Sequence, residues 1–351
     1  MTGGRLQDLL GVELPLIQAP MAGVQGSALA VAVSNAGGLG SLSCAALTVE
    51  AMRSELAAIR TGTTRPFNVN FFCHEPPARD PAREAGWRAA LSRYYAEAGV
   101  APADPSAPTR APFSREVADA LAPFEPPVVS FHFGLPTDAL LARVRAWGAK
   151  ILSSATTVDE ARWLEARGAD AIIAQGIEAG GHRGMFLSAD LSTQIGTMAL
   201  VPQIVDAVAV PVIAAGGIGD ARGVAAAVAL GAAGVQVGTA YLLCPEAGTS
   251  AVHRAALQSA AARATAVTNV FSGRPARSIV NRLVRELGPM NDAVPPFPLA
   301  IPALAPLRAK VESEGRGDFS SLWAGAYAAA CKPAAAAAIT ADLARGLAGA
   351  R

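Results

Sequence analysis

The chain of 351 residues is long enough to bury one large core, and its 29 Lys and Arg residues stand against 28 Asp and Glu. So even a charge balance excludes recognition of nucleic acid or an anionic membrane surface by bulk electrostatics, and any ligand must be held locally. The four cysteines, Cys44, Cys73, Cys244 and Cys331, form no CxxC pair, which argues against a disulfide framework or a zinc site. No run of about 18 apolar residues without charge or proline appears. The first residues lack the basic, apolar and small-residue order of a signal peptide, so the expected location is cytoplasmic.

Leu16–Ala19, between Pro15 and Pro20, is the first predicted strand, and the Met21-Ala22-Gly23-Val24 turn follows it. A helix over 28–34 stops at Asn35-Ala36-Gly37-Gly38, a second strand covers 39–42, and a helix covers 49–60. FNVNFF at 67–72 is the third strand. Residues 73–127 then separate it from the fourth, 128–133, far beyond an ordinary connection. They hold a helical pattern at 87–96, a loop rich in Pro and Ala at 99–112 and a helix near 114–122. They read as one helical layer plus a surface excursion.

The rhythm returns with helix 137–147, strand 150–153, helix 157–167 and strand 171–174. A long loop, 175–193, and helix 196–208 lead into one βαβ unit at 210–242. There Val212–Ala215 is a short apolar run stopped by Gly216-Gly217, as expected of a parallel strand buried on both faces. Asp220 caps the next helix, whose Val224, Val228 and Leu230 form an apolar stripe before Gly231 ends it. Gly234–Val237 is the eighth strand and meets Gly238-Thr239. Eight strands, each but the last followed by a helix, predict an α/β fold of the (β/α)8 TIM-barrel type. An open doubly wound sheet is the alternative, because periodicity does not show closure.

From Cys244 the alternation stops. A helix is expected at 250–264, a turn at 272–275, a helix at 278–287 and an irregular span at 289–306 carrying six prolines among others nearby. The expected division is a barrel over 1–245, with the 73–127 connection enlarged, a smaller helical lid over 246–315, and C-terminal helices over 316–351 that return to the barrel wall.

Projecting the carboxyl ends of the strands onto one rim gathers Met21, Ala22, Asn70, Ser130, His132 and Gln175. Gly180, Gly181 and His182 of the 175–193 loop join them, as do Gly216, Gly217, Gln236, Gly238 and Thr239. Two glycine turns on consecutive final strands suit a phosphate, since backbone N–H groups can face it with no side chain in the way. The alternative is that these glycines only make tight turns. Asn70 and Gln175, at the ends of buried runs, need partners with both donor and acceptor character, which a flavin ring offers; otherwise they cap neighbouring strands. His74 reads as a structural histidine. His182 follows two glycines in a polar loop with no evident packing role, and as a neutral imidazole it suits proton abstraction or an anionic substrate. His132 shares one strand face with Ser130 and reads as a second polar group of the pocket.

QAPMAGVQ at 18–25, NFFCHEPP at 70–77, SFHFGLP at 130–136, AQGIEAGGHRG at 174–184 and the AAGGIGD…GVQVGTAYL unit at 214–242 resemble the nitronate monooxygenases, formerly called 2-nitropropane dioxygenases. FSGRPAR at 271–277 extends the resemblance weakly. It implies FMN held by Asn70, Gln175, Gly180, Gly217 and the run Gln236-Val237-Gly238-Thr239, with His182 as base, and no metal. The implied reaction is oxidation of an alkyl nitronate by O2 to a carbonyl compound and nitrite. The resemblance fades in the C-terminal third and assigns no role to Trp323 or Tyr327. An NAD(P)H-dependent flavin reductase acting on quinones or enoyl thioesters is the alternative enzyme. A flavin-free, phosphate-binding barrel is the alternative from another class.

Overall fold

The computed structural model describes residues 3–104 and 109–348; residues 105–108 of the expected 99–112 loop lie outside them. Eight parallel strands run in the order β1, β9, β8, β6, β5, β4, β3, β2. They are β1 (Leu16–Gln18), β2 (Gly40–Ser43), β3 (Phe67–Phe72), β4 (Val128–His132), β5 (Lys150–Ala155), β6 (Ala171–Gln175), β8 (Val212–Ala215) and β9 (Gly234–Val237). The remaining strand of that stretch, β7 (Gly181–His182), belongs to a second sheet with β10 (Thr265–Thr268) and β11 (Ala276–Ile279). An Ile17–Leu39 bridge joins β1 to β2 and closes the barrel, so the open-sheet alternative falls.

Closure follows from residues that suit both faces of each strand. In β3 all six residues are buried. Val69 and Phe71 pack outward with Leu42, Leu56 and Phe131, while Asn68 turns inward and donates to Ser41 Oγ at 3.0 Å and Ser130 Oγ at 2.9 Å. An amide inside an apolar barrel is thus held by hydroxyls on the two neighbouring strands. Asp220 accepts from the Arg222 and Gly223 amides and starts helix Ala221–Ala229 as expected. The helix Gly3–Leu10, unread in the sequence, packs Leu6 and Leu10 with Ile17, Leu152, Ile173 and Ile213 and plugs the amino-terminal end of the barrel.

Several expected elements change. The 87–96 helix is two helices, Pro81–Ala90 and Ser92–Ala98; Asp80 caps the first and Gly99, at φ 63°, ends the second. The 250–264 helix stops at Leu257. The expected 278–287 helix begins only at Arg282, capped by Asn281, because 276–279 is strand β11, paired with β10 and β7. The irregular 289–306 span contains the start of helix Ile301–Ser313, with Pro302 in its first turn.

The 73–127 connection is not simply a layer added to the barrel. Trp87, Leu91, Tyr94 and Tyr95 form a second core with Phe271, Leu283, Leu307 and Phe319 from the C-terminal third. Two segments far apart in sequence thus pack into one apolar cluster. Helix Ala336–Ala348 instead lies on Ala221–Ala229, where Gly346 approaches the Ala221 carbonyl too closely for a Cβ.

Candidate active site

A cavity open to solvent lies at the carboxyl ends of the strands. Met21, Ala22, Asn70, His132, Gln175, Gly180, Gly181, His182, Gly216, Gly217, Gln236, Gly238 and Thr239 all line it. Val237 does not. Alternation along β9 turns Gln236 inward and buries the Val237 side chain in the outer core.

Gly216 and Gly217 turn the chain at φ 115° and 71°, where an L side chain is strained. A Cβ on Gly216 would stand 2.9 Å from Thr197 Oγ1 and 3.0 Å from the Ala179 amide. The N–H groups of Gly216, Gly217, Gly238 and Thr239 find no backbone acceptor among the described residues. One rim is therefore a row of backbone donors with no side chain over it.

Both amides reach neighbouring chain segments, as the strand-capping alternative has it. Asn70 Nδ2 donates to Ser130 Oγ at 3.0 Å. Gln175 Nε2 donates to the His182 carbonyl at 3.1 Å, and its Oε1 accepts from the Gly184 amide at 2.7 Å. Gln175 thus ties the His182 loop to the end of β6. Gln236 Oε1, on the cavity lining, is buried and has no partner among the described residues.

His182 also has a packing role that its polar neighbours in sequence hid. It is the end of β7, opposite Ala276 of β11. Its ring lies among Phe297, Trp323, Phe72 and Phe133 at centroid separations of 5.2 to 6.1 Å. Nε2 is 2.8 Å from Ser272 Oγ. In the tautomer that protonates Nε2, Ser272 Oγ accepts from His182 and turns its own proton toward the Arg274 carbonyl at 3.4 Å. Nδ1 then carries the lone pair. Burial, reinforced by the Arg110 charge, keeps the imidazole well below its usual pKa, hence neutral at physiological pH.

His132 differs. Nε2 donates to the His182 carbonyl at 3.2 Å and Nδ1 accepts from Ser154 Oγ at 3.1 Å, so both nitrogens are used. Burial pushes its pKa down to about 3. His74, read as structural, donates from Nε2 to the Arg110 carbonyl at 3.2 Å and sets its ring edge-on to Phe297.

The chain matches the family model of nitronate monooxygenase over residues 4–346. It belongs to the nitronate monooxygenase family. A nitronate monooxygenase of Pseudomonas aeruginosa is 44% identical over 328 residues, covering 93% of each chain. That of Paraburkholderia phytofirmans is 43% identical over 352 residues, covering 99% of this chain and 96% of its own. Among solved structures, a nitroalkane oxidase from Streptomyces ansochromogenes superposes with a TM-score of 0.90 at 39% identity, covering 99% of both chains. As a nitronate monooxygenase family member this chain is an oxidoreductase.

Sequence reasoning missed Arg110, Ser154, His253 and Gly325, all of which line the cavity, and left Trp323, which also lines it, without an assigned role. Phe72, at the end of β3, was passed over too, although alternation from Asn68 and Asn70 would have found it. No local signal marks the others. Ser272 and Trp323 reach His182 only because β11 pairs with β7 and Trp323 bridges to Ser278. Tyr327 stays outside the cavity, its hydroxyl near Asp220 and Arg222.

Proposed function

We propose that this chain oxidises alkyl nitronates with O2 to a carbonyl compound and nitrite, holding FMN non-covalently at the barrel mouth. The observation that carries the reading is His182, neutral and free at Nδ1, facing a cavity whose lining contains no Asp or Glu. The residues fit FMN. The free amides of Gly216, Gly217, Gly238 and Thr239 would take its phosphate. Gln236 Oε1, buried and without a partner, would accept from the ring system, and Asn70 and Gly180 would border it. The chemistry that bound FMN supplies is removal of an electron from the nitronate and its delivery to O2.

The remaining work belongs to side chains. With a neutral nitroalkane, His182 Nδ1 takes the proton from the carbon bearing the nitro group, and Ser272 holds the ring through Nε2. His132, both nitrogens engaged, positions His182 through its carbonyl rather than acting as a base. Phe72, Phe297 and Trp323 keep bulk water from the reacting carbon. The test is anaerobic mixing of the flavin-loaded protein with a nitronate or with NADH. A flavin spectrum altered by the nitronate supports the reading. Reduction by NADH alone would replace it with a nicotinamide-dependent reductase, and purification without FMN after reconstitution would remove the cofactor assignment.

A further inference from the structure

Four arginines stand near His182, and three are already occupied. Arg183 donates to Gln194 Oε1 and to the Gly176 and Gln175 carbonyls. Arg274 donates to the Met185 carbonyl and lies over the Phe133 ring at 3.9 Å. Arg277 donates to the Ile177 carbonyl and Thr265 Oγ1. Arg110 is different: its guanidinium has no hydrogen-bond or carboxylate partner among the described residues, although the residue is partly buried. It lines the cavity, and no acidic residue lines it alongside.

An uncompensated cation withdrawn in part from water is costly, and it persists where the fold forces it. Here the forcing contacts are visible. His74 holds the Arg110 carbonyl, Phe297 packs edge-on against His74 at 4.9 Å, and the same Phe297 packs against His182 at 5.2 Å. One aromatic ring thus links the Arg110 backbone to the His182 ring, and the second core holds the connection that carries Arg110 against the C-terminal segment that carries Phe297. Such an arrangement leaves a planar five-donor fork facing the space beside a neutral imidazole.

We infer that Arg110 is the docking residue for the substrate's charge, binding the two oxygens of a planar anion such as a nitronate, a nitrate or a carboxylate beside His182. The inference rests on the reaction proposed above and deepens it. Arg110 makes the site prefer the nitronate anion over the neutral nitroalkane, whereas His182 serves the neutral form. A guanidinium suits this better than an ammonium, because its paired N–H groups match two coplanar oxygens.

The experiment compares wild type, Arg110→Gln and Arg110→Lys, each loaded with FMN, on a nitronate and on the corresponding nitroalkane. Nitrate serves as an inert planar probe, its binding followed by calorimetry and by competition with nitronate. Arg110→Gln should raise KM for nitronate about 10- to 100-fold, the range for losing a hydrogen bond to a charged group. KM for the neutral nitroalkane should move less than about threefold, and nitrate binding should weaken in parallel with nitronate. Arg110→Lys should recover part of the loss through its charge alone. Equal losses on both substrates, or an unchanged nitronate KM, would overturn the assignment. Should Arg110→Gln not fold, nitrate competition in wild type and its weakening in Arg110→Lys decide, and non-competitive or absent nitrate binding refutes the site. If wild type consumes no nitronate, the proposed reaction fails on its own; calorimetric nitrate binding lost in Arg110→Gln still supports the anion site, and binding kept there overturns it.

Discussion

Across the cavity, the rim at the ends of β8 and β9 presents backbone, while the wall around His182 presents side chains. The rim needs only two glycine turns and the parallel register of adjacent strands, Ala214 beside Val235 and Ala215 beside Gln236. The wall draws Phe72 from β3, Arg110 from the enlarged connection, His182 from β7, and Ser272, Phe297 and Trp323 from the last third. The rim's two turns contain no titratable group, whereas His132 and His182 line the wall and His74 lies buried against Phe297. Binding of a constant group thus rests on backbone geometry, and selection among substrates rests on a wall that can change residue by residue.

The sharpest break of this contrast is His182→Asn. Turnover of a neutral nitroalkane should fall about 10²- to 10⁴-fold, the range for a general base. A pre-formed nitronate has already lost its proton and should lose less, at unchanged FMN content. Steady-state kinetics on both forms measure the ratio; equal and small losses would remove His182 from the mechanism.

Acid should act on the wall and leave the rim's groups unchanged. All four histidines have native pKa values lowered first by burial, His132 to about 3 and His253 to about 4. For a base with a depressed native pKa, the unfolded chain binds the proton first. The stability it contributes is complete above the unfolded value of about 6.5 and is lost as pH falls toward the native value. Each such histidine adds a slope of about 1.4 kcal/mol per pH unit in that window. Thermal melts should therefore decline from about pH 6.5 to about pH 4, already above the range where carboxylates titrate. A flat profile there would show that the imidazoles are charged in the folded protein.

On the rim, Gly217→Val should weaken FMN retention about tenfold or more. A Cβ there meets only the Glu178 side chain, in ordinary contact at 3.4 and 3.6 Å, so the loss comes from backbone strain at φ 71° and a side chain over the amides. Gly148→Val, at φ 85° with nothing near its Cβ, carries comparable strain away from the cavity and should retain FMN. Absorbance of dialysed protein at the flavin band compares them. Equal retention by both variants would move the phosphate elsewhere. The smallest effect expected is Ser272→Ala, which removes the acceptor for His182 Nε2 and should lower kcat on the nitroalkane about three- to tenfold. An unchanged kcat would mean that the aromatic packing alone orients the ring.

The sequence by itself determined the barrel and its rim. Val212–Ala215, Gly234–Val237 and Phe67–Phe72 coincide with the observed strands, and Asp220 caps its helix as read. Strand period, a helix cap and a glycine turn are set within a few residues, so local spacing carries them. Projection of the strand ends and the loop after β6 also gathered nearly half of the cavity lining, because the βα repeat puts every carboxyl end on one rim. Tertiary structure alone decided the rest. It turned 265–268 and 276–279 into strands against β7, gave His182 its Ser272 partner, and occupied the Gln175 amide. It also placed Arg110 in the cavity through a core shared by the 81–98 helices and residues 270–319. Those contacts join segments separated by scores of residues, and burial of apolar side chains from both partners fixes them, which no single stretch of sequence records.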